Sequence, residues 1–209
     1  MPKIGLTLSS VTDEEVVEGS SRPKTKPGII LGLAVYSKSN KAFHIYPEFL
    51  FIQKGFRIDE GGNSFGYKVK EQFSFTINYL AVPVLAKQYL NPKTRNLYIL
   101  GGFCAGVAVG GRYSYDYHEN NNGAITELTK GGKLDFSEEI LGYNGEDYSI
   151  YKKGDFGIQI GMGFSMFKKV NMDLRYEIGF SQLSKQDVSK PKNRVLQWTI
   201  GLPIPVTFN

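Results

Sequence analysis

Between residues 155 and 183 the chain alternates apolar with small or polar side chains through two long consecutive runs. Phe156, Ile158, Ile160, Met162, Phe164 and Met166 share one parity, against Asp155, Gly157, Gln159, Gly161, Gly163 and Ser165. After two lysines, Val170, Met172, Leu174, Tyr176, Ile178 and Phe180 alternate with Asn171, Asp173, Arg175, Glu177, Gly179 and Ser181. A period of two places alternate side chains on opposite faces of a strand. Strands of globular proteins typically run about five or six residues. Two longer strands in succession, each with one nearly continuous apolar face, restrict the chain to a large antiparallel sheet with one apolar surface.

The same alternation recurs along the chain and predicts eight strands, over 3–9, 28–37, 42–56, 72–89, 97–115, 155–166, 170–183 and 194–208. Between them lie polar or glycine-rich stretches at 11–26, 57–70, 116–152 and 184–193, and short turns at 38–41, 91–96 and around Lys168 and Lys169. Long connections follow the first, third, fifth and seventh strands, and short ones follow the second, fourth and sixth. In an up-and-down barrel this sorts every long loop to one rim and every tight turn to the other, an asymmetry of outer-membrane barrels. One domain over residues 1–209 accounts for the whole pattern.

The size of an eight-stranded interior decides which face points outward. Such a barrel is just wide enough for side chains or one small ligand. The large apolar rows do not fit inside it. The alternate set, including Gly5, Thr7, Gly32, Ala34, Gly102, Gly106, Gly161 and Gly163, does. The apolar rows therefore face lipid, where only a closed barrel satisfies every backbone group of a sheet. On this reading Phe73, Phe75, Ile77 and Tyr79 lie on the apolar side, and Tyr113, Tyr115, Tyr117, Tyr176 and Trp198 suit interfacial girdles. Lys3, Glu48, Lys54, Arg112, Asp155, Asp173, Arg175 and Glu177 face the lumen, where buried charges must pair. A network centred on Arg175, Glu177 and Glu48 is expected near mid-height. Pro47, Pro83, Pro203 and Pro205 remove ladder donors and predict bulges or local unpairing.

Composition removes several function classes. The net charge of +5 is spread as single lysines and short pairs, without the clustered basic face of a nucleic-acid binder. Cys104 is the single cysteine, so no intrachain disulfide or cysteine metal framework exists. His44 and His118 have no ligand spacing around them. Neither a catalytic set nor a cofactor motif is expected. No run approaches the roughly 20 apolar residues of a membrane helix. The chain enters strand-like sequence at Ile4, so export implies a mature form whose leader lies outside this sequence.

An ordered series of short motifs accompanies this pattern. It comprises Tyr46-Pro-Glu-Phe-Leu-Phe-Ile-Gln-Lys-Gly55, Tyr79-Leu-Ala-Val-Pro-Val-Leu-Ala-Lys87, Gly154-Asp-Phe-Gly-Ile-Gln-Ile-Gly-Met-Gly163, Arg175-Tyr-Glu-Ile-Gly179 and residues 193–197. The series resembles the PorT-like outer-membrane β-barrel family common in Bacteroidetes, over nearly the whole chain. The resemblance implies an eight-stranded barrel in the outer membrane, made as an exported precursor, with no catalytic residues to carry over.

The expected function is that of a non-enzymatic barrel with a closed or nearly closed polar lumen. It would act as a structural or interaction component through its extracellular loops, with residues 116–152 as the foremost contact surface and outer-membrane lipid around it. The alternative is a narrow porin-like channel. A lipid-modifying hydrolase lacks an indicated nucleophile, and a soluble ligand carrier would reverse the direction of the apolar face.

Overall fold

The computed structural model describes residues 1–12, 22–35, 43–64, 67–134, 136, 153–166, 170–183 and 191–203. They form nine antiparallel strands: β1 (Pro2–Thr12), β2 (Lys24–Ala34), β3 (Phe43–Ser64), β4 (Tyr67–Tyr89), β5 (Leu97–Asn121), β6 (Ala124–Lys133), β7 (Gly154–Met166), β8 (Val170–Gln182) and β9 (Lys192–Gly201). The sheet order is β4-β3-β2-β1-β9-β8-β7-β5-β6, and a further β4–β5 pairing closes it. The β1–β9 pairing joins the first strand to the last, with Leu6 opposite Trp198. Closure leaves no sheet edge around the ring, the condition for a sheet in lipid.

Nine strands stand where eight were expected. The lower part of β5 pairs with β7 from Leu97 to Val107, and the upper part pairs with β6 from Arg112 to Asn121. The ninth strand is thus a hairpin partner of the upper β5, beyond the segment of β5 that β7 covers. Asn122 and Gly123 form its turn, both with positive φ, of 50° and 95°. An Asn-Gly pair with this geometry matches the right-handed twist of the strands it joins.

Strand length divides the molecule into two zones. A tilted membrane strand needs about 9–11 residues. β1, β2 and β9 are 11, 11 and 10 residues long, and β7 and β8 are 13 each. β3, β4 and β5 are 22, 23 and 25. Their surplus, joined by β6, rises past the rim as a four-stranded extension. Residues 57–64 and 67–70 of the expected glycine-rich loop 57–70 are instead the upper parts of β3 and β4, paired through Ser64 opposite Tyr67, and residues 65 and 66 lie outside the described residues. Residues 116–121 and 124–133, expected as loop, are likewise strand. Glycine and polar residues are compatible with strands here because ladder hydrogen bonds hold the hairpins and no lipid or core demands apolar side chains. The rest of the 116–152 loop, residues 135 and 137–152, the turn residues 167–169, and residues 204–208 of the expected last strand lie outside the described residues.

The apolar rows point outward as anticipated. Ile4 is 61% exposed, Phe103 60% and Ile160 59%, whereas Lys3 is 4% and Arg175 1% exposed. Several placements are corrected. Ile77 and Tyr79 face inward and are fully buried. They continue the inner row of Ala81, Leu85 and Lys87, while Leu80, Val82 and Val84 form the outer row. Tyr113 also turns inward, and Phe73, Phe75, Tyr115 and Tyr117 share this inward parity. Opposite Asn78 and Tyr79, β5 supplies Gly110 and Ala108, so Val109 is an extra residue that reverses the side-chain phase above it. Trp198 lies opposite Leu6 and Leu174, and Tyr176 opposite Ile160 and Leu196. Both are outward, but within the apolar band rather than at its edge, because parity sets the face of a residue and not its height.

The prolines are absorbed with little disturbance. The β3–β4 register is the same on both sides of Pro47 and Pro83, with the pairs 48/83 and 49/82 missing from the ladder. The register shifts lie elsewhere, between Thr25 and Ile30, Asn78 and Tyr79, and Ile178 and Gln182. Pro203 falls beyond β9, and Pro205 lies outside the described residues.

Candidate functional site

Small residues on the inner rows leave room for long charged side chains from facing strands. Three layers of buried charge result. In the first, Arg175 of β8 reaches across to β3 and holds Glu48 through two bonds, Nη1 to Oε2 at 2.5 Å and Nη2 to Oε1 at 2.8 Å. Arg175 Nη2 also donates to Asp173 Oδ2 at 2.6 Å. Lys3 of β1 bridges the same two acids, at 2.7 Å from Glu48 and 2.5 Å from Asp173. The Tyr98 hydroxyl donates to Asp173 Oδ1 at 2.6 Å. Four strands are tied together through fully buried side chains, and the Arg–carboxylate fork is the strongest geometry of this kind.

The second layer lies toward the extension. Lys54 binds both Asp155, at 2.8 Å, and Glu177. Gln159 Nε2 and Gln197 Nε2 each donate to Glu177 Oε2 at 2.8 Å. Asn193 donates to Asp155 Oδ2 at 2.9 Å. Asp155 Oδ1, Gln159 Oε1, Gln197 Oε1 and Arg175 Nε are buried atoms here without a protein partner.

The third layer, toward the short-turn rim, is Lys87. Its ammonium stands 3.6 Å from the centroid of the Tyr98 ring and 5.1 Å from those of Tyr46 and Tyr89. Aromatic faces attract a desolvated cation through the ring quadrupole. His44 meets Tyr89 edge-on beside it, with centroids 5.8 Å apart.

Of the residues singled out from sequence, Glu48, Asp173 and Arg175 come together in the first layer, and Lys54, Asp155 and Glu177 in the second. Arg112 does not join them. Its side chain is exposed, because the extra residue at Val109 turns it to the outer face. Lys87 was missed. Its parity with Ala81 and Leu85, opposite Leu80, Val82 and Val84, carried the signal, but an apolar stretch on both faces hid it. With Lys87 included, the buried charged residues are Lys3, Lys54, Lys87 and Arg175 against Glu48, Asp155, Asp173 and Glu177. Cations and carboxylates balance among the described residues.

Gly163 shows how closely this interior is fitted. A Cβ there would lie 2.2 Å from a Tyr98 ring carbon and 2.6 Å from Asp173 Oδ1. Gly163→Val should therefore displace Tyr98 from Asp173. The expected loss is about 1–3 kcal/mol, the usual range for overpacking, read from the urea midpoint of the protein in detergent micelles. An unchanged midpoint would show that this contact is not tight.

Above the barrel, the extension carries a shallow cavity of about 570 Å³ lined by Asp59, Lys70, Gln72, Asp116, His118 and Glu127, among others. His118 Nδ1 lies 3.0 Å from Glu127 Oε1. Tyr117 donates its hydroxyl to Glu119 at 2.6 Å, which raises the tyrosine above its ordinary titration range.

A closed antiparallel ring with an apolar exterior, a charged interior and strands of membrane-crossing length defines a transmembrane β-barrel. The chain belongs to the family described as outer membrane protein beta-barrel domain, whose match covers residues 2–185. It is a protein of the bacterial outer membrane. No curated protein matches it. Among solved structures, it is similar to Ail, the attachment invasion locus protein of Yersinia pestis, at 14% identity, covering 95% of this chain and 92% of that one, with a TM-score of 0.39. Ail in complex with the heparin analogue sucrose octasulfate matches at the same identity and coverage with a TM-score of 0.38. Neisserial surface protein A matches at 8% identity, covering 95% of this chain and 94% of that one, with a TM-score of 0.34.

Proposed function

We propose that this barrel is a non-enzymatic interaction component of the outer membrane, with a closed lumen and a contact surface on its extracellular extension. The observation that carries the reading is the overrun of β3, β4 and β5, which with β6 form a four-stranded sheet above the membrane-crossing segment. A rigid scaffold that projects a sheet into the surroundings is suited to binding. The paired charges inside support a structural role for the lumen, since each cation is held by carboxylates or rings from other strands. The ordered motifs quoted above support a place among the PorT-like members of the family.

The experiment shortens the extension by joining β3 to β4 and β5 to β6 with tight turns near residues 57 and 113. Assembly is followed by heat-modifiable migration on electrophoresis, and partners by chemical crosslinking on intact cells. The shortened barrel should still assemble and should lose the crosslinks of the full chain. Crosslinks that persist unchanged would overturn the reading. The full chain in liposomes should give no single-channel events, and steady conductance would favour a narrow channel instead.

A further inference from the structure

The two faces of the extension differ in how their charges are answered. Register places Asp59, Gln72, Asp116 and Thr129 in one row, and Lys70, His118 and Glu127 in the next, on the face continuous with the barrel exterior. There the carboxylates find partners within the sheet. Lys24 and Arg57 lie 2.8 and 3.0 Å from Asp59. His118 meets Glu127, and the Thr129 hydroxyl donates to Asp116 at 3.0 Å.

The opposite face continues the lumen wall through Phe56, Phe75 and Tyr113. Its rings run outward in a row, with Phe73 and Tyr115 at 4.6 Å between centroids and Tyr115 and Tyr117 at 6.5 Å. Glu60 and Glu71 are direct cross-strand partners there, and Glu119 follows one row further out. Like charges placed directly opposite one another destabilise a sheet. Among the described residues, none of these three carboxylates has a cation within ion-pair distance. Glu71 and Glu119 accept from tyrosine hydroxyls, Tyr115 to Glu71 at 3.2 Å and Tyr117 to Glu119 at 2.6 Å. Lys130, opposite Tyr115, is the one cation that register puts on this face among the described residues.

Aromatic rings edged by uncompensated carboxylates complement a guanidinium or ammonium group. The cation lies over the ring and donates to the acid. We propose that the inner face of the extension docks an extended cationic segment of a partner protein, seating arginine and lysine side chains among Tyr115, Tyr117, Glu60, Glu71 and Glu119. This rests on the extension being the interacting part of the molecule, and it names the chemistry of the partner. Binding of this kind weakens as salt screens the carboxylates.

The test uses the full chain in detergent micelles and a fluorescent peptide of alternating arginine and threonine, with its glutamate counterpart as control, read by anisotropy. The arginine peptide should bind and the glutamate peptide should not. Each exposed ion pair contributes modestly, and three together add up. The triple variant Glu60→Gln, Glu71→Gln, Glu119→Gln should therefore weaken binding about tenfold. The pair Asp116→Asn, Glu127→Gln on the other face should change it by no more than about twofold. Equal losses from both sets would reduce the effect to net charge and overturn the proposal. So would binding of a sulfated polysaccharide in place of the cationic peptide, or self-association through this face. Peptide binding that vanishes when the extension is shortened yet ignores the triple variant overturns this proposal alone. Crosslinks on cells that survive shortening overturn the broader reading as well.

Discussion

Arg175→Met is expected to destabilise the barrel by about 3–5 kcal/mol, the usual consequence of removing one partner from a buried ion pair. Arg175 is 1% exposed and supplies three of the bonds that neutralise Glu48 and Asp173. Without it, Lys3 alone faces two buried carboxylates. The measurement is urea unfolding of the protein in lipid vesicles, compared with wild type at the same lipid composition. The double variant Arg175→Met, Glu48→Met leaves Lys3 paired with Asp173 and should recover most of the loss. Replacement of a whole buried pair by apolar residues is often neutral or favourable. A single variant that costs less than about 1 kcal/mol, the scale of an exposed pair, would mean that the layer is wet and weakly coupled.

The second large effect is expected on the outside. Ile160 is 59% exposed and stands between Phe156 and Phe164 on the same row of β7. Exposure here means contact with lipid. Ile160→Arg should cost about 2–4 kcal/mol if the site lies near the bilayer midplane. The measurement is again unfolding in vesicles, together with the fraction of chain assembled into membranes. Ile125 of β6 is 62% exposed but belongs to the extension. Ile125→Arg should therefore stay within about 0.5 kcal/mol of wild type, as surface substitutions usually do. Equal costs at the two positions would contradict the division between a lipid-facing band and a projecting sheet.

The direction of the apolar rows was legible because size left one solution. Phe156 to Met166 and Val170 to Phe180 are too bulky for an eight-strand interior, and Gly161 and Gly163 are not. The same parity brought Glu48, Asp173 and Arg175 to the inner face without any knowledge of their partners. Parity failed at Arg112 and Tyr113, since one extra residue at Val109 inverts everything above it and leaves no mark in the local pattern. It misplaced Ile77 and Tyr79, which alternate with Thr76 and Asn78 yet face inward, and it was silent at Lys87, where β4 is apolar on both sides. The upper β3–β4 and β5–β6 hairpins read as loops because their composition is polar and glycine-rich. Once a hairpin leaves the membrane, hydrogen bonding between strands needs no apolar face, so composition ceases to report it.

Alternation along single strands, a local property of covalent geometry, determined the fold class, the outward face and the identity of most buried charges. Pairing of those charges was decided by the tertiary structure. Arg175 meets Glu48 across 127 positions of sequence, and Lys3 meets Asp173 across 170. Such contacts depend on the stagger of a closed ring, which no single strand encodes. The extension likewise became visible only when register showed β3, β4 and β5 paired well past the length a bilayer requires, and its two faces acquired different electrostatics only through which residues that register sets opposite one another.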